Sequence, residues 1–274
     1  MHLYFLRVDE EGSSFWGTTR ETKNDPWEVP VKLKWEHPTK PVPSWDTADG
    51  LECYFSEILR EGYGNVDIWV MKRKTINDNW DSAVNLGPNV NSTADEAGEA
   101  ISSDGLELYF SGIRDAYTRP GGYGCADLWM TKRRTRNEPW EEPVNLGSTI
   151  NSTAKDVRTT LSADGLLLFF DSNRPGGYGR ADIWVIRRST RNEPWSEPMN
   201  LGPSVNSLAD EHFAYLSSDG TILYFESDRP GGYGSHDIWQ VSVILLGNDF
   251  GREDQRASVL ERKDKSLGKE VLSE

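Results

Sequence analysis

The sequence is poor in cysteine, histidine and positive charge. Two cysteines, Cys53 and Cys125, stand among 274 residues, too few for a disulfide framework. They fall at non-equivalent places in the repeat described below, so no bridge between them is expected. The four histidines, His2, His37, His212 and His236, form no His-x-His pair, and no Cys-x-x-Cys spacing occurs, so a structural zinc motif is absent. No run approaches the ~18 apolar residues of a membrane span, and membrane insertion is not expected. The N-terminus, Met1–Arg7, lacks a basic segment followed by a long apolar one, so the chain as written shows no signal peptide. Lys and Arg number 30 against 44 Asp and Glu, a formal net charge of −14. Such a field repels phosphates, which excludes nucleic acid as a partner. There is no Gly-x-Ser-x-Gly elbow and no Ser/His/Asp set that can be ordered. Helical periodicity is missing before about residue 250.

Aromatic residues and glycine are abundant, with 11 Trp and 25 Gly, a composition that argues against disorder. Most of this content is repetition. Asp-Gly recurs at Asp49-Gly50, Asp104-Gly105, Asp164-Gly165 and Asp219-Gly220, at spacings of 55, 60 and 55 residues. The 60-residue unit is explained by an insertion near Arg114–Thr118. A Trp after a polar turn recurs at Trp27, Trp80, Trp140 and Trp195, and Asp-(Ile/Leu)-Trp begins at Asp67, Asp127, Asp182 and Asp237. Arg-Pro-Gly-Gly-Tyr-Gly stands at 119–124, 174–179 and 229–234, with a degenerate Arg60-Glu61-Gly62-Tyr63-Gly64. Each unit reads as four strands. Strand A precedes Asp-Gly (Glu99–Ser103), and strand B follows this tight turn (Leu106–Phe110, Ile222–Phe225). Strand C follows the Gly-rich loop (Asp182–Arg187), and strand D follows the Trp turn (Pro198–Leu201). The N-terminus supplies B, C and D over Leu3–Leu6, Ser14–Thr18 and Pro30–Leu33. Four strands per ~55 residues, repeated, predict an all-β propeller whose blades must stack on their neighbours.

The pattern Ser-x-Asp-Gly-Leu-x-Leu-Tyr-Phe-x-Ser-x-Arg-Pro-Gly-Gly-Tyr-Gly-x-x-Asp-Ile-Trp resembles the WD40-like β-propeller repeat (PD40) of bacterial proteins, related to the propeller of TolB. Residues 102–124, 162–184 and 217–239 match it well. Residues 47–69 match with a damaged Gly loop, and 3–27 match in strand B and the Trp-turn region. The resemblance implies a bacterial protein of the periplasm or cell exterior. It implies a fold more than an activity, because the family serves many roles. Five blades over residues 1–244 are expected. Closure of the ring lacks one D–A segment, to be supplied by the tail or by chain beyond this sequence. The extension 245–274 holds seven acids and six bases, and it reads either as a polar tail or as a charged amphipathic helix through Ala257, Leu260, Leu267 and Val271.

Residues repeated in every blade read as structural. Asp67, Asp127, Asp182 and Asp237 are expected to fix the Gly-rich loop through backbone N–H bonds or an Arg pair, with Arg119, Arg174 and Arg229 in the matching role. Without a following helix, the Gly loops do not read as phosphate cradles. Specificity is expected where the top-face positions differ between repeats. At the start of strand A these are Ser44, Glu99, Thr159 and Ala214; Pro43, Gly98, Arg158 and Phe213; and Val42, Ala97, Val157 and His212. Glu99, Arg158, His212 and His236 are therefore ligand-binding candidates, with Trp35, His37 and Trp45 of the divergent first D–A loop, whose rings suit sugar stacking. Asp46 aligns with the core positions Ile101, Leu161 and Leu216. It is a catalytic candidate alongside Glu99 and His212, unless a one-residue slip turns it outward. No cofactor is expected. A Ca²⁺ or other divalent ion at His212 and His236 with Glu211 or Glu99, or at the acidic pairs Asp95-Glu96 and Asp210-Glu211, is the alternative to ordinary solvated acids. Two functions follow: a non-enzymatic scaffold presenting its top-face rim to a protein or glycan, or a carbohydrate-active hydrolase or lyase at the channel mouth.

Overall fold

A computed structural model describes residues 2–9, 12–33, 45–59, 62–112 and 119–243. Trp35, His37, the Arg114–Thr118 insertion and the 245–274 extension lie outside the described residues, as does the segment in which closure of the ring would be read. The described residues fall into two compact units, 2–33 and 45–243. No helix occurs among them, and none long and apolar enough to cross a membrane. Both cysteines are free, Cys53 buried and Cys125 exposed.

The first unit is an antiparallel sheet of β1 (His2–Asp9), β2 (Gly12–Thr19) and β3 (Val31–Lys32), in that order. Its Arg20 guanidinium lies 4.2 Å from the centre of Trp27, a pairing repeated throughout the second unit.

The second unit holds four antiparallel sheets, each running in chain order from its first strand. The first is β4 (Trp45–Asp46), β5 (Glu52–Glu57), β6 (Asp67–Lys72) and β7 (Val84–Asn85). The second is β8 (Ala97–Ile101), β9 (Glu107–Ser111), β10 (Leu128–Lys132) and β11 (Val144–Asn145). The third is β12 (Asp156–Leu161), β13 (Leu167–Ser172), β14 (Asp182–Arg187) and β15 (Met199–Asn200). The last is β16 (Glu211–Leu216), β17 (Ile222–Ser227) and β18 (Asp237–Ser242). Strand C over 182–187 stands as expected, whereas strand A begins two residues before Glu99 and strand D is only two residues long. The Asp-Gly connection is also wider than a two-residue hairpin. It spans Ser102–Leu106, where Ser102 Oγ donates to Asp104 Oδ1 at 2.6 Å and accepts from the Glu107 N–H at 2.9 Å.

The cores lie between sheets. Tyr54, Ile68 and Val70 of one sheet pack with Ile101, Leu108 and Phe110 of the next. Tyr109 and Leu128 then pack with Leu168, Phe170 and Ile186, and Phe169, Ile183 and Val185 with Leu216, Leu223 and Phe225. Both faces of a middle strand are therefore buried. That is why Leu108-Tyr109-Phe110 is continuously apolar rather than alternating.

One end of the sheets is organised by the aspartate that opens each third strand. Asp127 accepts the Tyr123 N–H at 2.5 Å, the Gly124 N–H at 3.1 Å and the Asn145 side-chain amide at 3.0 Å. Asp67 and Asp182 repeat all three bonds. The loop must close tightly. A Cβ at Gly122 would lie 2.3 Å from Asp127 Oδ2, and one at Gly124 would lie 2.3 Å from the Ser152 carbonyl oxygen. The Gly loop thus packs on the segment that leads into the next sheet. The Asp156 N–H completes that join by donating to the Ala126 carbonyl at 2.8 Å. An asparagine reinforces it, since Asn151 exchanges side-chain hydrogen bonds with both the N–H and the carbonyl of Leu128, at 2.8 and 3.1 Å.

The loop arginines do not pair with these aspartates. Arg119, Arg174 and Arg229 bind instead Glu96, Asp156 and Glu211, at 3.3, 2.5 and 3.0 Å. These acids are buried, and each also accepts the hydroxyl of the serine four residues before it. This corrects the reading of Glu96 and Glu211 as solvated acids.

At the opposite end, one arginine joins the third sheet to the second and another joins the second to the first. Arg188 donates to the Gly165 carbonyl of its own sheet at 2.8 Å and to Glu107 of the preceding sheet at 2.7 Å, with Trp195 stacked 4.4 Å from its guanidinium. Arg133 links Glu52 in the same way beneath Trp140. The turn tryptophans are architectural, as expected, because they cover a buried cation.

The aspartate join yields a test. Asp127→Ala would orphan two backbone donors and an amide, each costing about 1–3 kcal/mol when buried. We expect a loss of about 3 kcal/mol in urea unfolding, against less than about 0.5 kcal/mol for the exposed Arg134→Ala. A loss below about 1 kcal/mol for Asp127→Ala would contradict the role assigned to it.

Candidate functional site

The divergent positions gather at a bulge in each first strand. Val157 pairs with Asp171 but Thr160 with Phe169, so two residues of β12 oppose one of β13. β8 and β16 break register at the same place. The residue after the last pair before the bulge is left-handed in all three strands, with φ of +62° at Gly98, +57° at Arg158 and +52° at Phe213. Glycine accepts this geometry freely, and a Cβ at Gly98 would also lie 2.9 Å from Arg158 Cα. For arginine and phenylalanine it costs about 1–2 kcal/mol each. Hydrogen bonds from the preceding sheet hold both: the Arg158 N–H donates to Ser111 Oγ at 3.3 Å and the Phe213 N–H to Asp171 Oδ2 at 3.2 Å.

Arg158 and Phe213 bring their neighbours together. The Arg158 guanidinium lies 4.4 Å from the Phe213 ring centre. Its Nη1 is 3.4 Å from Asp171 Oδ2 and 3.4 Å from His212 Nδ1. His212 Nδ1 is also 3.4 Å from Asp171 Oδ2. The His212 ring stacks near-parallel on His236 with centres 6.4 Å apart, and His212 is the cross-strand partner of Glu226. Asp171 is buried and its Oδ1 has no hydrogen-bond partner among the described residues. Burial pushes the Glu226 carboxyl up from its ordinary range, and the fields of His236, His212 and Arg158 oppose this only in part. Phe213 is exposed beside the cluster.

Three expected site residues, Arg158, His212 and His236, are thus neighbours. Glu99 is not on an open rim. It is 3% exposed, its partner is Ser56 on β5, and its Oε2 is unpaired among the described residues. Trp45 and Asp46 form β4, pairing with Tyr54 and Cys53 as Ala100 and Ile101 pair with Tyr109 and Leu108. The backbone register is therefore the aligned one, without the one-residue slip; their side chains lie outside the description. Asp171 and Glu226 were missed. Their signal was the column Ser56, Ser111, Asp171, Glu226 at the end of strand B, which diverges as sharply as the strand A columns. Among the described residues, no three His, Cys, Asp or Glu side chains are placed to hold a metal ion.

No protein-family model and no curated protein matches the chain. Solved structures do. A thermostable family-43 glycoside hydrolase is 12% identical, with 88% of this chain and 85% of that one covered and a TM-score of 0.55. TolB from Acinetobacter baumannii is 12% identical with a TM-score of 0.50, and the match covers 88% of this chain but only 50% of the TolB chain. The fold is thus all-β and TolB-like, built of small antiparallel sheets. At such identity the likeness extends to the fold alone.

Two predictions follow from burial and strain at this end. Burial raises the Glu99 carboxyl, against hydrogen bonds from its own backbone and from Ser56. The folded state therefore binds this proton more tightly than the unfolded state does. The resulting stability is present below the ordinary Glu range near 4.3 and is lost as pH rises through the folded value. Glu99→Gln should raise the melting temperature at pH 7 and leave it unchanged near pH 4, as read by differential scanning calorimetry. Equal shifts at both pH values would contradict the raised carboxyl. Phe213→Gly should cost less than about 1 kcal/mol in urea unfolding, because relief of the left-handed strain offsets the lost ring contacts, whereas a core Phe truncation costs about 3–5 kcal/mol. A core-sized loss would place Phe213 in the fold's support rather than in its surface.

Proposed function

We propose that the chain is a non-enzymatic β-propeller scaffold that presents its top-face rim to a protein or glycan partner. The observation that carries this reading is the allocation of groups at the Arg158 cluster. Asp171 lies inside, Glu226 is half-buried, and the cation with its aromatic neighbour Phe213 reaches solvent. A cation stacked on an exposed aromatic on a strained backbone serves recognition. A glycosidase needs two accessible carboxyls across a cleft, and the candidate acid Glu99 is buried. Such a scaffold needs no cofactor, and its charge of −14 disfavours nucleic acid. The five repeat units support a five-bladed propeller of the WD40-like (PD40) type over 1–244 with a charged extension, and that resemblance favours a bacterial protein of the periplasm or cell exterior.

The second reading, a carbohydrate-active hydrolase or lyase, is favoured by one feature. Glu226, its carboxyl raised by burial and lying beside two histidines, is suited to holding and passing on a proton.

The two separate in a combined experiment. The purified protein is screened by pull-down and on a glycan array, and assayed for turnover of aryl glycosides and polysaccharides. Capture of a ligand without turnover, weakened about 10-fold or more by Arg158→Ala, is the expected result. Turnover that disappears in Glu226→Gln would make the protein an enzyme. No ligand above background in either screen would reject the scaffold.

A further inference from the structure

Tyr63, Tyr123, Tyr178 and Tyr233 occupy one repeat position at the centre of the Gly-Tyr-Gly loops. Each supports the fold through its backbone alone, donating its N–H to the loop aspartate. Any residue except proline offers that donor, so the fold does not require tyrosine there. The four rings are between 47% and 55% exposed, and none makes a side-chain hydrogen bond or ring contact among the described residues. The structural tyrosines differ: Tyr54 and Tyr109 are buried, donate to Glu52 and Glu107, and meet Trp140 and Trp195 edge-on. Tyr63 is retained even where Arg-Pro-Gly-Gly has decayed to Arg60-Glu61-Gly62. A packing demand explains the flanking glycines, but no side-chain hydrogen bond or ring contact among the described residues explains the phenol.

Every Tyr loop lies at the same end of its sheet. Gly64, Gly124 and Gly179 are pressed against the carbonyls of Ala94, Ser152 and Ala209, in the segments leading to the next sheet. Consecutive sheets thus carry one equivalent aromatic each along one face, and His236 of the Arg158 cluster belongs to the last of these loops.

We propose that the four tyrosines form a multivalent platform for a neutral polysaccharide, each ring stacking on the face of one sugar unit. The proposal rests on the binding-scaffold reading. A series of identical anchors suits a ligand that repeats, whereas a folded protein partner presents unlike groups to each blade. A phenol ring offers an apolar face to sugar C–H groups and a hydroxyl at its edge to sugar hydroxyls. The net charge of −14 repels an acidic polymer, which leaves the neutral class. Individually weak contacts add through high local concentration once the first ring is engaged.

Native affinity electrophoresis tests this with the whole chain and gels containing arabinoxylan, galactomannan, mixed-linkage β-glucan or dextran. At least one polymer should retard the protein. Each single Tyr→Ser substitution should weaken binding about three- to ten-fold, and the quadruple variant Y63S/Y123S/Y178S/Y233S should migrate as if no polymer were present. The matching Tyr→Phe set should stay retarded. Because the rings are exposed, an unchanged melting temperature certifies the variants as folded; should the serine set fail to fold, the four single variants decide. No retardation by any of the four polymers, or retardation unaffected by the serine substitutions, overturns the proposal. Capture of a protein partner with no effect of these substitutions would leave the scaffold standing and remove the polysaccharide platform.

Discussion

A carboxylate buried at the start of the third strand in three sheets, Asp67, Asp127 and Asp182, governs one end of the second unit. Asp127 and its equivalents draw two loop N–H groups and an asparagine amide around one charge. That closure shapes the Gly-Tyr-Gly loop, and the loop packs under the segment entering the next sheet. The segment in turn delivers the first strand with its bulge, and the bulge projects Arg158 and Phe213. The site is therefore several steps downstream of a single electrostatic requirement: a buried carboxylate must be surrounded by donors.

The same requirement recasts the charge of the chain. A net charge of −14 reads as an acidic surface, yet many of the acids are interior: Glu52, Asp67, Glu96, Glu107, Asp156 and Glu211 are all buried. Each is matched by backbone donors, serine hydroxyls or an arginine fork. Such networks bind loop to loop and sheet to sheet at defined geometry. They do so at a desolvation cost that well-packed apolar residues would avoid. Their benefit is register. An arginine reaching from Gly165 to Glu107 permits one alignment of two neighbouring sheets, where apolar faces alone would tolerate sliding.

Repetition made much of this legible. Asp-Gly, Asp-Ile-Trp and the turn tryptophans located the strands to within a residue or two, because each anchors a turn or a buried contact that recurs in every sheet. The arginine partners were not legible. Asp182 and Arg174 stand eight residues apart in one motif, yet the arginine bonds Asp156, at the start of the first strand of the same sheet. Spacing within a repeat says nothing about which carboxylate a long side chain reaches. Arg158, His212 and His236 were visible as departures from the repeat. Glu99 departs as clearly and is buried, because adjacent residues of a strand face opposite ways and a bulge resets that alternation just before it. Asp171 and Glu226 diverge at the end of the second strand, because a site at the end of a sheet draws on both strands that meet there.

Divergence and repetition therefore need a physical test before either is read as function. Gly98 and Phe213 share a left-handed backbone that glycine occupies without strain, so a phenylalanine there, half-exposed and cation-stacked, is held against its own preference by bonds from the preceding sheet. The converse holds for the loop tyrosines. They repeat as faithfully as the aspartates, but Asp67, Asp127 and Asp182 are buried and engaged by their side chains, while the phenol rings are about half exposed and make no side-chain hydrogen bond or ring contact among the described residues. A repeated residue is structural when the structure uses its side chain. When only the backbone is used, the repeated side chain reports a demand made from outside the fold.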